Sequence, residues 1–275
     1  MTYAPLRLFL LLVGGIAWCW SEVHVETIAY QDGEVELEGV LAFDDARGQE
    51  RRPGILVVHE WWGLNEYAKS RAKQLAQLGY VAFAIDMYGK GVRTRDPQEA
   101  AKLAAPLRTD RALMRARANA GLARLREQPL VASDSIAAVG YCFGGTVALE
   151  LARSGAPLKG VIAFHGGLAA GTDAKGSPMP AQKGTFRAKV LALQGADDPF
   201  VPAAEVAGFA DEMRAAGADW QLVQYGGAVH AFTNPAAGSD PAKGMAYNES
   251  ADHRSWAAMR EFLAVELFPQ ASDNR

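Results

Sequence analysis

The first readable pattern in the chain is an alternation of apolar and polar residues. Residues 23–30 and 35–43 alternate with a period of two, and the turn sequence Gln31-Asp32-Gly33 separates them. This pattern predicts two half-buried antiparallel strands joined as a hairpin. We expect this hairpin to form one edge of a larger sheet.

Beyond the hairpin, short apolar runs no longer alternate with polar residues. Continuous apolar runs are typical of parallel strands that are covered on both faces. They occupy residues 54–59, 80–85, 136–139, 161–164 and 190–193, and a last strand is predicted at 220–225.

Segments with helical periodicity lie between these strands. They are predicted at residues 66–78, 100–126, 144–152, 203–216 and about 250–268. Strands that alternate with helices predict an α/β fold with a doubly wound, mostly parallel sheet and the hairpin as its antiparallel N-terminal edge. Residues 169–184, rich in Gly, Ala and Lys, are predicted to be a long loop, either a functional one or a tolerated surface insertion.

The N-terminus differs from the rest of the chain. Arg7 precedes an apolar run at residues 8–17, which has the length of a signal-peptide core and is short for a membrane span. We expect residues 1–21 to be a signal peptide, residues 22–275 to form a single α/β domain, and the mature protein to be periplasmic or secreted. Cys19 leaves a lipoprotein as an alternative, and an uncleaved anchor is another.

The composition argues against several classes of function. The 275 residues carry 28 basic and 31 acidic side chains, a formal net charge of −3. The two signs are interspersed, so no basic stripe indicates a nucleic-acid or membrane partner beyond the signal segment. The chain has two cysteines, Cys19 and Cys142, and five scattered histidines. We therefore expect no metal site and no cofactor, and the pattern predicts no oligomeric state.

Cys142 lies at the centre of the most informative motif, Gly-Tyr-Cys-Phe-Gly at residues 140–144. The motif follows a predicted buried strand and precedes a predicted helix, which is the setting of a nucleophile elbow. Small residues permit the sharp turn, and the helix N-terminus favours a thiolate and a nearby oxyanion. Taken alone, a free cysteine is more often a small buried apolar residue than a catalyst.

Two further motifs supply an acid and a base in the chain order expected for this fold. Asp197 and Asp198 follow the strand at 190–193, and His230 follows the last strand. Ligands bind at the carboxyl ends of strands in open α/β sheets. Asp198 as a helix cap and His230 as an ordinary loop residue are the alternatives.

These residue types predict acyl transfer. His230 would take the proton of Cys142 as the sulfur attacks a carbonyl, an acidic residue would hold the imidazole, and water would release the acyl group. The backbone amides of Trp61 and Phe143 are predicted oxyanion-hole donors. The same triad would serve a thioesterase or peptidase, and a non-catalytic binding protein or a thiol-redox protein is the alternative from another class.

The sequence resembles the dienelactone hydrolases (carboxymethylenebutenolidases), a family of α/β-hydrolases. The matching motifs are His-Glu-Trp-Trp-Gly-Leu at 59–64, Asp-Met-Tyr-Gly at 86–89, the Cys142 elbow, Asp-Pro-Phe-Val-Pro at 198–202 and His-Ala-Phe at 230–232. They cover nearly the whole expected mature chain in the family's order. The resemblance implies a small ester or lactone as the substrate.

The resemblance also implies roles for individual residues. It makes Cys142 the nucleophile, His230 the base and Asp198, rather than Asp197, the acid. It makes Glu60 the carboxylate that controls the ionisation of the resting cysteine.

Substrate recognition is where the sequence departs from the family. Trp61, Trp62 and Tyr88 are predicted to shape the pocket with the loop at 169–184. Family members grip a substrate carboxylate with arginines, one of them four residues after the catalytic histidine, and here that residue is Asn234. Loss of this clamp argues against dienelactone itself as the substrate. The arginines near the expected place of the second one are Arg93, Arg95 and Arg108.

Overall fold

A single eight-stranded sheet runs through the computed structural model, which describes residues 23–269. Its strands are Val23–Asp32 (β1), Val35–Asp44 (β2), Arg52–Val58 (β3), Val81–Ile85 (β4), Val131–Tyr141 (β5), Gly160–Phe164 (β6), Lys189–Gly195 (β7) and Trp220–Tyr225 (β8). The strand order is β1-β2-β4-β3-β5-β6-β7-β8. The β1–β2 and β2–β4 pairs are antiparallel and the others are parallel. The predicted fold class is confirmed.

Helices cover both faces of this sheet. They are Glu66–Gln77 (α1), Pro97–Thr109 (α2), Arg111–Arg126 (α3), Phe143–Arg153 (α4), Ala203–Ala216 (α5) and Glu249–Glu261 (α6), which a π-helical segment, Phe262–Leu267, continues. Buried residues of α2 to α5 pack in one core, and those of α1 and α6 pack in the other. Side chains of each strand alternate between the two cores, as strand geometry requires. Within residues 23–269, none of the helices has the length and apolar character of a membrane span.

The single helix predicted over residues 100–126 is wrong, because the chain forms two helices that meet at Asp110. The Asp110 backbone is extended, and its carboxylate accepts hydrogen bonds from two amides in the first turn of α3. Aspartate at this position caps a new helix more favourably than it continues an old one. The break places Arg108 and Arg111 at the corner between the helices, beside the cavity described below.

The loop predicted at residues 169–184 contains no helix or strand, as expected. Ion pairs beneath it fix its position. Glu150, which is fully buried, pairs with Arg115 and Arg153. These two guanidinium groups also donate to the carbonyl oxygens of Met179 and Leu168 in and beside the loop. Because these buried charges are paired and hydrogen-bonded, the loop is attached to the helical layer rather than free in solvent.

The predicted signal peptide, residues 1–21, lies outside the described residues and stays a prediction.

Candidate active site

Cys142 is the single residue between the end of β5 and the start of α4. Its φ is 55° and its ψ is −116°, a conformation that is strained for a residue with a side chain. The neighbouring glycines permit this turn by their lack of a Cβ. A Cβ on Gly140 would overlap the backbone of Gly144, and a Cβ on Gly144 would overlap the carbonyl of Val58. The local sequence therefore dictates the elbow through backbone contacts that only glycine allows.

The carboxyl ends of three strands bring Cys142, Asp198 and His230 together. The distance from His230 Nε2 to Cys142 Sγ is 3.0 Å, and that from His230 Nδ1 to Asp198 Oδ2 is 2.8 Å. The other oxygen of Asp198 accepts from the Phe200 amide. Asp197 instead accepts from the amide of Gly227. Asp198 therefore occupies the position that a triad acid requires, and Asp197 does not.

His230 is buried beside two groups that carry or can carry negative charge. Burial opposes the charged imidazolium, but the Cys142 charge, the hydrogen bonds with Asp198 and Cys142 and the Asp198 charge act the other way. Together they raise the pKa of His230 to about 10. At neutral pH the imidazole therefore carries a proton that it can give to a leaving group.

Glu60 is buried behind this site, where its carboxylate accepts a hydrogen bond of 2.6 Å from Asn234 Nδ2. The Asn234 Oδ1 accepts from the Ala236 amide, which fixes the orientation of the side-chain amide. Burial raises the pKa of Glu60 to about 7, although the Asn234 hydrogen bond and the charges of His230 and Arg71 oppose the shift. Glu60 thus changes its charge in the neutral range.

The Glu60→Gln variant is expected to change how stability depends on pH. A carboxyl group with a raised folded pKa binds its proton more tightly in the folded state, so the free energy of unfolding falls as pH rises from about 4.5 to about 7. Glutamine removes this loss, which is at most about 3 kcal/mol. Urea unfolding at about pH 5 and about pH 8 should show the variant gaining stability relative to the wild type. An unchanged difference between the two proteins at both pH values would contradict the pKa of Glu60.

Trp61 and Phe143, whose amides are the predicted oxyanion-hole donors, line the same cavity as Cys142. Phe143 is the first residue of α4, so its amide has no acceptor within the helix. Among residues 23–269, the Trp61 amide has no hydrogen-bond acceptor. The Arg108 guanidinium lies 5.7 Å from the Trp61 ring centroid and 5.9 Å from that of Phe143. Both amides are thus available to a ligand, with a cation close by.

Cys142 and His230 line a cavity of about 400 Å³. Its apolar lining includes Trp61, Phe143, Phe200, Val201 and Met245, and its charged lining is Arg108, Arg111 and Glu205. A mostly apolar cavity with a few convergent polar groups is typical of a small-molecule site.

Trp62 and Tyr88, predicted to shape the pocket, are not among the residues that line this cavity. They lie one layer behind it. The Trp62 ring packs 4.9 Å from that of Trp61, and the Tyr88 hydroxyl donates to the Trp61 carbonyl. Of the two successive tryptophans in the turn after β3, the first lines the cavity and the second does not. Of the predicted pocket loop, Ala169 lines the cavity.

Sequence reasoning missed Arg111 and His165. Arg111 was hidden because the break at Asp110 was not predicted. His165 follows the carboxyl end of β6, so the rule that found Asp198 and His230 could have found it. Across the described part of the chain, no group of three or more His, Cys, Asp or Glu side chains is placed to hold a metal ion.

Residues 37–267 match the model of the dienelactone hydrolase family. The chain belongs to the dienelactone hydrolase family. The resemblance stated from the motifs is confirmed, and the protein is a hydrolase of the dienelactone hydrolase type.

Other proteins of this kind resemble the chain over most of its length. A dienelactone hydrolase-like promiscuous phosphotriesterase from metagenomic libraries is 39% identical, covers 90% of this chain and 99% of its own, and superposes with a TM-score of 0.82. A Bradyrhizobium protein named for a proposed 2-oxo-3-(5-oxofuran-2-ylidene)propanoate lactonase activity is 31% identical over 186 residues, 66% of this chain and 74% of its own. A Salmonella typhimurium relative with a proposed carboxymethylenebutenolidase activity is 28% identical over 219 residues, 77% of each chain.

Proposed function

We propose that this dienelactone hydrolase-type protein cleaves a carboxylic ester or lactone through a covalent acyl-cysteine formed on Cys142. The observation that carries the proposal is the 3.0 Å distance between Cys142 Sγ and His230 Nε2 at the wall of the cavity. A sulfur this close to a protonated, carboxylate-bound imidazole is an activated nucleophile.

In the first half of the reaction, the Cys142 thiolate attacks the carbonyl carbon and a C–S bond forms. The negative charge that develops on the carbonyl oxygen lies near the Trp61 and Phe143 amides, which stabilise it. Collapse of this intermediate breaks the C–O bond, and His230 Nε2–H protonates the departing alkoxide. The products are an acyl-cysteine and an alcohol, which remains tethered when the substrate is a lactone.

In the second half, water attacks the acyl-cysteine and gives a proton to the neutral His230. The C–S bond breaks, the carboxylic acid leaves, and the thiolate and imidazolium are restored. Asp198 keeps the proton of Nδ1 in place throughout and stabilises the charged ring. Glu60 acts indirectly, because its carboxylate, when ionised, favours the imidazolium of His230.

The Asp198→Asn variant is expected to lower kcat by at least about 100-fold, because asparagine favours the wrong tautomer of His230 and removes the charge beside it. Asp197→Asn is the matched control, since within residues 23–269 the adjacent carboxylate binds the Gly227 amide and not His230. We expect this control to retain kcat within a few-fold. Steady-state kinetics on one ester substrate compares them. Equal losses in both variants would remove Asp198 from the triad.

The cavity offers a cation for the acyl group, although not from the position four residues after His230. Asn234 is bound to Glu60 and to the Ala236 amide, so it does not replace the missing arginine. Arg108 lies over the rings of Trp61 and Phe143, which flank the proposed oxyanion hole. A panel of neutral and carboxylate-bearing esters and lactones tests whether an anionic group improves kcat/KM.

Hydrolysis of a phosphotriester is a second candidate reaction, and the observation that favours it is the 39% identity to a promiscuous phosphotriesterase. Attack of Cys142 on phosphorus would use the same groups. Parallel assays on an oxygen ester, a thioester, an amide and a phosphotriester with the same leaving group would rank these activities. We expect the oxygen ester or a lactone to be turned over fastest, and preference for the amide would contradict the proposal.

We also propose that the protein is exported to the periplasm. Residues 1–21 have the pattern of a signal peptide, and N-terminal sequencing of the protein isolated from the periplasm tests its removal.

A further inference from the structure

His165 directly follows β6 and lies beneath the elbow, yet the reaction proposed above gives it no role. The side chain is fully buried. Its φ is 39°, so its backbone, like that of Cys142, is strained. The ring packs edge to face against His230, with 5.3 Å between the centroids.

Both ring nitrogens of His165 have partners that fix the position of its proton. Nδ1 lies 3.1 Å from the backbone nitrogen of Cys142, whose N–H is shared with the Phe164 carbonyl at 2.9 Å, and Nε2 lies 2.7 Å from Thr233 Oγ1. A backbone N–H only donates, so Nδ1 must be the acceptor and the neutral ring carries its proton on Nε2. That proton is therefore donated to the hydroxyl of Thr233.

The neutral form of this ring is strongly favoured. Burial lowers the pKa of His165 well below its ordinary value, and the charges of His230 and Arg71 act in the same direction. The tautomer that binds both partners is thus the one present in neutral solution.

His165 thus forms a hydrogen-bonded bridge from the Cys142 amide to the Thr233 hydroxyl. Further hydrogen bonds hold the Thr233 end of this bridge. The Thr233 hydroxyl lies 2.6 Å from the Tyr67 hydroxyl, and the Thr233 backbone carbonyl accepts a hydrogen bond from the Arg71 guanidinium. Arg71 in turn pairs with Asp252 at 2.7 Å. Thr233 is three residues beyond His230, so this anchor holds the loop that carries the base.

We propose that His165 is a positioning residue that sets the distance between the Cys142 sulfur and His230. One ring joins the strained backbone of the nucleophile to the anchored loop of the base. The effect on turnover rests on the proposed function, whereas the effect on the sulfur does not. A misplacement of the sulfur by about 1 Å would lower the rate of attack by about 100-fold.

Two variants test the two halves of the bridge. His165→Asn keeps an acceptor for the Cys142 amide but is too short to reach Thr233, and Thr233→Val removes the hydroxyl while leaving His165 on Cys142. We expect each to lower kcat by about 10- to 100-fold with KM changed less than about twofold. Each should also slow the alkylation of Cys142 by iodoacetamide at neutral pH by about tenfold. The double variant should be no worse than the more severe single one, because both break one bridge.

Ser255→Ala is the control for a purely structural effect, because it removes another fully buried hydroxyl, one that donates to a carbonyl within α6 and does not contact His165 or Thr233. It is expected to lower the unfolding midpoint while leaving kcat and the alkylation rate unchanged. Wild-type kcat and alkylation in folded Thr233→Val would overturn the proposal, as would equal losses in Ser255→Ala. If His165→Asn does not fold, Thr233→Val alone decides. If the wild type hydrolyses no ester, the proposed function fails, and the alkylation rates still show whether His165 positions the sulfur.

Discussion

The Cys142→Ala variant is expected to lose ester or lactone turnover by about 10,000-fold or more while keeping its fold. The loss follows because no other nucleophile lies within hydrogen-bond distance of His230 Nε2 in the described residues. Alanine is smaller than cysteine and retains a Cβ, so it enters the same backbone conformation without new overlap. The measurement is kcat/KM on the best substrate of the ester and lactone panel.

A second readout in the same variant separates chemistry from structure. Removing the sulfur removes the negative charge that favours the imidazolium, so the pKa of His230 should fall from about 10. Titration of the His230 ring by NMR would show this fall, and an unchanged unfolding midpoint would show that the fold is intact. Turnover within about tenfold of the wild type in the folded variant would remove Cys142 from the chemistry.

The Gly140→Ala substitution is expected to lower the free energy of unfolding by about 4 kcal/mol or more, or to prevent folding. This is a larger loss than we expect from the other substitutions described above. A Cβ at this position would overlap the backbone of Gly144 in the first turn of α4. The strand cannot move away because β5 is hydrogen-bonded between β3 and β6, and the first turn of α4 is held close to the Val58 carbonyl at Gly144. Urea or thermal unfolding measures the effect.

Gly208→Ala is the matched control for this substitution. Gly208 lies within α5, is exposed, and has no atom within 4 Å of an added Cβ. Alanine there should stabilise the protein by about 0.5–1 kcal/mol, because it restricts the unfolded chain and favours the helix. A Gly140→Ala protein as stable as the wild type would show that the elbow has room that these contacts exclude.

The sheet was predictable because the central strands are buried on both faces, as β2 also is over residues 39–42, whereas the edge strand β1 is buried on one. Those two environments leave different patterns, a continuous apolar run and an alternation, and both are visible in the sequence. The break at Asp110 was not predicted. The apolar period continues through residues 100–126, and a single capping aspartate decides between one helix and two only through its backbone conformation.

The candidate site was predictable to the extent that strand ends define it. Cys142, Asp198 and His230 each follow a parallel strand, so topology alone places them on one edge of the sheet. Side-chain direction in the loops was not predictable. Trp61 lines the cavity whereas Trp62 packs behind it, and no property of the two adjacent tryptophans distinguishes them before the turn is known. The bridge through His165 depends on two nitrogens meeting partners far apart in sequence, a relation that has no local signal.

Rapid-quench mass spectrometry with a slowly hydrolysed activated ester can detect an acyl group on Cys142 during turnover. The intact protein should gain the mass of one acyl group before the steady state is reached, and peptide mapping should place that group on Cys142. Cys142→Ala should gain none under the same conditions. Ester turnover with no acyl group on the wild-type protein, or with the group on a residue other than Cys142, would contradict the account.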